Sequence, residues 1–111
     1  MDRRGCTRIS LLGKIEIRPG TSGDPSYGYT INIGRGGLAL YSRTAFDLNT
    51  ELALTLFFKY NGEEEKREDV SGIVRWIKPV GDLFALGIQF SKKMDRESHP
   101  LISLYLERNE G

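Results

Sequence analysis

The chain has 111 residues, 39% of them hydrophobic and 28% charged, which suits one folded domain with a real core rather than a disordered chain. One Cys and one His exclude an intramolecular disulfide framework, a Cys-based zinc site and a His cluster, and no apolar run approaches the roughly 20 residues of a membrane span. The net charge of +1 argues against a general nucleic-acid binder, but residues 1–43 hold seven basic and three acidic side chains against nine and twelve in the rest, so a small anion would find its site in the N-terminal third. Met1-Asp2-Arg3-Arg4-Gly5-Cys6 leads into no long apolar stretch, so no signal peptide is expected, and the default is a soluble, cytoplasmic chain without membrane insertion.

In chain order, Leu11, Gly13, Ile15 and Ile17 alternate with Leu12, Lys14, Glu16 and Arg18, the period of a strand with one apolar face. Residues 19–26 form a loop by composition. Tyr27 to Ile33 reads as a second strand, broken by Gly34-Arg35-Gly36-Gly37, and Leu38 to Tyr41 as a third. Glu51 to Tyr60 is a long strand, with Leu52, Leu54 and Leu56 on one face and Ala53, Thr55 and Phe57 on the other. Asn61-Gly62 signals a hairpin, since both turn positions favour positive φ. Lys66 to Ile77 returns, residues 79–82 turn, and Leu83 to Phe90 is the last strand. A single helix is expected over 97–108, with Pro100 in its first turn and a stripe of Leu101, Leu104 and Tyr105 widened by Ile102 and Leu106. The fold class is therefore all-β, a small antiparallel barrel or sandwich with a short C-terminal helix.

Catalysis finds little support. There is no nucleophile elbow, no zinc-protease motif and no Cys–His pattern, so no enzyme, no metal and no cofactor is expected. His99, beside Pro100, reads as a surface or capping residue, and Cys6 as a bystander thiol. Gly34-Arg35-Gly36-Gly37-Leu38-Ala39 fits the loose dinucleotide pattern G-x-G-x-x-A, but the helix that would hold a pyrophosphate is missing. The glycines then mark either a bulge or tight turn, or a backbone surface that meets an anion. Arg4 and Arg8, with Arg3 alongside, offer planar paired donors suited to phosphate oxygens and the acceptor edge of guanine. Arg18, Arg43 and Arg75 read as surface charges.

Arg4-x-x-x-Arg8 followed by Asn32-Ile33-Gly34-Arg35-Gly36-Gly37, with a strand, a loop and a strand between them, resembles the PilZ domain. That family is a bacterial receptor module for cyclic di-GMP, marked by R-x-x-x-R and D/N-x-S-x-x-G. Ser71-Gly72-Ile73-Val74-Arg75-Trp76 and Leu86-Gly87-Ile88-Gln89-Phe90 are similar to its later strands. The likeness covers about residues 3–106.

The resemblance implies a six-stranded antiparallel β-barrel over about 10–90 with a terminal helix, preceded by a mobile arginine-bearing segment over 1–9, all in one domain. It implies that Arg4 and Arg8 clamp phosphate and guanine, that Asn32 reads a guanine edge, and that Gly34 and Gly37 present backbone. Arg3, Arg35, Gly36 and Trp76 are further candidate contacts, Trp76 either stacking on guanine or packing in the core. One departure stands out: Gly34 occupies the place of the family's Ser, so the ligand loses a hydroxyl. Output would pass to a downstream protein through an altered surface. The alternative is a PilZ-like adaptor in pilus or flagellar control that binds no nucleotide. A barrel for single-stranded nucleic acid would need exposed aromatics among basic residues. Phe57, Phe58 and Tyr60 instead adjoin Glu63-Glu64-Glu65, so no nucleic-acid partner is expected.

Overall fold

The computed structural model describes residues 9–20, 24–62 and 64–109. Six strands, β1 (Ile9–Pro19), β2 (Ser26–Ile33), β3 (Gly37–Ser42), β4 (Glu51–Tyr60), β5 (Glu64–Val80) and β6 (Leu83–Phe90), close into a barrel in the order β1-β2-β3-β6-β5-β4. Every pairing is antiparallel. Closure pairs every strand on both sides over at least part of its length, which limits the edge open to aggregation. Asn61 and Gly62 adopt the expected positive φ, 54° and 78°, at the β4–β5 hairpin.

The interior is the sum of the inward faces. Ile15, Ile17, Leu40, Leu52, Leu54, Leu56, Phe58, Val74 and Leu86 are fully buried. β1 carries a bulge in which Leu12, Gly13 and Lys14 stand opposite Phe57 alone, and Gly13 takes a φ of 93° that favours glycine. Phe57 lies on the outer side of the wall, yet is only 5% exposed. Lys14 Nζ covers its ring at 4.6 Å and the Arg67 guanidinium at 5.5 Å.

β5 runs to Val80, past the Ile77 expected from sequence, and Pro79 sits in the ladder opposite Phe84. Proline is tolerated there because β4 begins opposite Ile73. Beyond that point β5 pairs only with β6 and is in effect an edge, where a missing N–H can face the unpaired side.

The helix α1 (Pro100–Asn109) starts later than residue 97. Asp95 Oδ1 accepts hydrogen bonds from the Ser98 backbone N–H at 2.8 Å and the Ser98 hydroxyl at 2.9 Å, which fixes residues 95–98 as a turn. The same bonds hold the Asp95 carboxyl below the usual carboxylate range. The expected stripe is shifted: Ile102 and Leu106 are the buried residues, and Leu101, Leu104 and Tyr105 pack at its margins. Glu68 of β5 satisfies the helix start, its two carboxylate oxygens accepting from the Leu101 and Ile102 N–H groups at 2.9 and 2.8 Å.

Candidate functional site

Two single-residue bulges build the site. Between β2 and β3 the register steps from Thr30↔Leu40 to Asn32↔Ala39, so one residue of β2 is extra. Between β5 and β6 it steps from Val74↔Ile88 to Trp76↔Gly87, so one residue of β5 is extra. An odd insertion reverses the faces of the residues beyond it. Ile31 and Asn32 are therefore both exposed, and so are Arg75 and Trp76, after which Ile33 and Ile77 turn back to the core. The two bulges lie on either side of the β3–β6 pair and aim Asn32, Arg75 and Trp76 outward around one open cleft of ≈ 370 Å³. Its floor is Gly37 to Ala39 of β3 and Gly87 to Gln89 of β6.

Both floor glycines are required by close approach. A Cβ on Gly37 would stand 2.0 Å from the Ile88 carbonyl oxygen, and one on Gly87 would stand 2.0 Å from Trp76 Nε1. The indole thus lies on the Gly87 backbone with 46% of the residue still exposed. Arg75 is held in the wall by two acceptors, Gln89 Oε1 on its Nε at 2.6 Å and Asn49 Oδ1 on its Nη1 at 3.1 Å. Asn49 makes the second contact from a left-handed backbone, φ 68°. Neither acceptor neutralises the guanidinium, and no carboxylate lines the cleft among the described residues. A π face, a bifunctional amide and a guanidinium around one opening suit a planar heterocycle that carries negative charge.

Of the residues singled out in the sequence, Asn32, Gly36, Gly37 and Trp76 line this cleft. Gly34 and Arg35 do not. The Gly34 N–H donates to the Gly37 carbonyl at 2.8 Å and closes the turn. The Arg35 charge, behind the Arg96 hydrogen bond, helps hold the Glu107 carboxyl on α1 below its ordinary range. Arg3, Arg4 and Arg8 lie outside the described residues.

Trp76 is resolved as a surface residue rather than a core one. Arg75, read as a surface charge, is exposed and also lines the cleft. The signal for its place there was the conflict between Val70, Gly72 and Val74 on one parity and Ile77 on the other, which a single inserted residue explains. Among the described residues there is no cluster of three His, Cys, Asp or Glu able to hold a metal, and no helix is long and apolar enough to cross a membrane.

A family model, that of the PilZ domain, matches residues 2–108. No curated protein matches the sequence. Among solved structures the chain is similar to the Bacillus subtilis inhibitor of motility, MotI/DgrA, with a TM-score of 0.61 and 20% identity. The match covers 99% of this chain and 52% of that one, so the chain spans about half the length of this neighbour. At that identity the likeness speaks for the fold.

Proposed function

The chain belongs to the PilZ domain family, and from that premise we propose that it is a receptor for cyclic di-GMP, acting in the bacterial cytoplasm through a changed binding surface and without catalysis. The observation that carries this reading is the convergence of Asn32, Gly37, Arg75 and Trp76 on one cleft. A guanine would stack on the Trp76 indole, Asn32 would pair with its edge, and Arg75 would meet a phosphate. Arg4 and Arg8 supply the remaining cationic donors.

Calorimetric titration with cyclic di-GMP, with GTP and a linear dinucleotide as controls, tests it. Selective binding in the micromolar range or tighter is the expected result. Arg8→Ala should weaken it at least roughly tenfold, because a hydrogen bond to a charged group contributes about 1.5–3 kcal/mol. Unchanged affinity in that variant would remove Arg8 from the site.

Gly34 favours a second reading. It lacks the hydroxyl of the family's Ser, and its N–H is engaged with Gly37. On this reading the domain is an adaptor that binds protein alone, in keeping with a neighbour described as an inhibitor of motility. Gly34→Ser discriminates the two. A Cβ at position 34 meets nothing within 4 Å, so the hydroxyl can be added without strain. A receptor should gain roughly tenfold in affinity. An adaptor should give no heat with either version and no change in Trp76 fluorescence.

A further inference from the structure

We propose that the outer face of β1, β2 and β3 is a docking surface for a protein partner that presents carboxylates around an apolar centre. Its lining, with Lys14, Tyr27, Tyr29 and Arg43, shares no residue with that of the cleft, although both open on the outer face of β2 and β3, and the proposal stands whether or not a nucleotide binds in the cleft.

The argument begins with β2, which is built inside out. Tyr27, Tyr29 and Ile31 point outward and are 55%, 66% and 42% exposed. Inward, the same strand offers Ser26, Gly28 and Thr30, and the Ser26 and Thr30 hydroxyls are buried without a hydrogen-bond partner. Within β2 only Ile33, beyond the bulge, packs against the core, whereas each of the other five strands turns two or more Ile, Leu, Val or Phe side chains to it. An unsatisfied buried hydroxyl costs about 1–3 kcal/mol, and the rings bury less than half of their surface in the free domain. This pattern is accounted for when the outer face is covered.

The register extends the patch beyond one strand. Tyr29 stands opposite Tyr41 of β3 and Lys14 of β1, and Leu12, in the β1 bulge, is 43% exposed. Tyr27, Tyr29, Lys14 and Arg43 line a cleft of ≈ 450 Å³ on this face. Its charge is positive. Glu16 is held by Arg18 at 2.6 Å, whereas Lys14 and Arg43 form no ion pair among the described residues.

Aromatic rings beside arginine are the composition of interface centres, and two rim cations that no carboxylate neutralises among the described residues call for carboxylates. Nucleic acid fits less well. Leu12 and Ile31 give bases no stacking surface, and two cations are few for a phosphate backbone.

The test uses the full chain, labelled for amide NMR, and a short amphipathic peptide of Glu and Leu. Its Lys–Leu counterpart and oligo(dT) are the controls. Shifts at Lys14, Tyr27, Tyr29, Ile31 and Arg43 with the acidic peptide alone, and at least roughly tenfold weaker binding by Tyr29→Ser with Arg43→Glu, are the expected result. The proposal fails if the acidic peptide leaves these amides unmoved, or if the Lys–Leu peptide or oligo(dT) moves them equally. It also fails if the chain self-associates through this face, or if Tyr29→Ser lowers the thermal midpoint by more than about 5 °C, which would make the ring a part of the fold.

Discussion

Gly87→Ala is expected to weaken cyclic di-GMP binding by roughly 10- to 100-fold while leaving the barrel folded. The added methyl would stand 2.0 Å from Trp76 Nε1 and 2.2 Å from its Cε2, far inside contact distance. The strand cannot retreat, because Gly87 is paired on both sides, with Ala39 of β3 and Trp76 of β5. The indole can, because the residue is already 46% exposed. It therefore swings into solvent, and the ligand loses its stacking face, a contact of about 1–3 kcal/mol for a base on an aromatic ring. Stability moves little, since alanine in a strand regains about 0.5–1 kcal/mol of backbone entropy relative to glycine.

The chain's one Trp makes the displacement directly visible. Emission should shift to the red in the free protein, and affinity should fall by titration. Trp76→Ala should lose a similar amount, and the double variant should be no worse than the poorer single, because both remove the same surface. A red shift with unchanged affinity would show that the indole is not a ligand contact.

The same bulges explain what the sequence discloses and what it conceals. In β1 three residues face one on β4, which adds an even number and keeps parity. Ile9, Leu11, Ile15 and Ile17 thus stay on one face, and the period reads straight through the irregularity. In β2 and β5 a single extra residue flips the faces, and period-2 reading fails there. That is why Asn32 could be picked out only by its motif, why Trp76 could be read either way, and why Arg75 reads only as a surface charge. Alternation also carries no sign. It marks Tyr27, Tyr29 and Ile31 as sharing a face, but their outward direction is set by barrel closure, in which Gly28 faces the Ile17 side chain. Glu68 was equally silent, since its partners on α1 are more than thirty residues away.

Phe58→Ala is expected to cost about 3–5 kcal/mol, a large share of the roughly 5–15 kcal/mol that holds a domain folded. The ring is fully buried, and its centroid lies 6.1 Å from that of Tyr105 at an interplanar angle of 53°. It is the apolar half of a clamp on α1. Glu68 is the polar half, and it sits opposite Leu56, two residues along β4 from Phe58. Truncation leaves a cavity between barrel and helix that the paired strands cannot collapse to fill. At about 3–6 °C per kcal/mol for a chain of this size, the thermal midpoint should fall by roughly 10–30 °C. Amide exchange should rise first in α1, which loses the aromatic contact that helps seat it.

Phe57→Ala is the matched control, one residue away on the opposite side of the wall. Its ring lies under Lys14 and Arg67, long side chains that can settle into the gap and re-enter water. It should cost less than half as much. Equal losses at the two positions would mean that the outer layer bears as much of the stability as the core. A shift of only a few degrees for Phe58→Ala would mean that α1 is held by Glu68 and its own packing, without this aromatic contact.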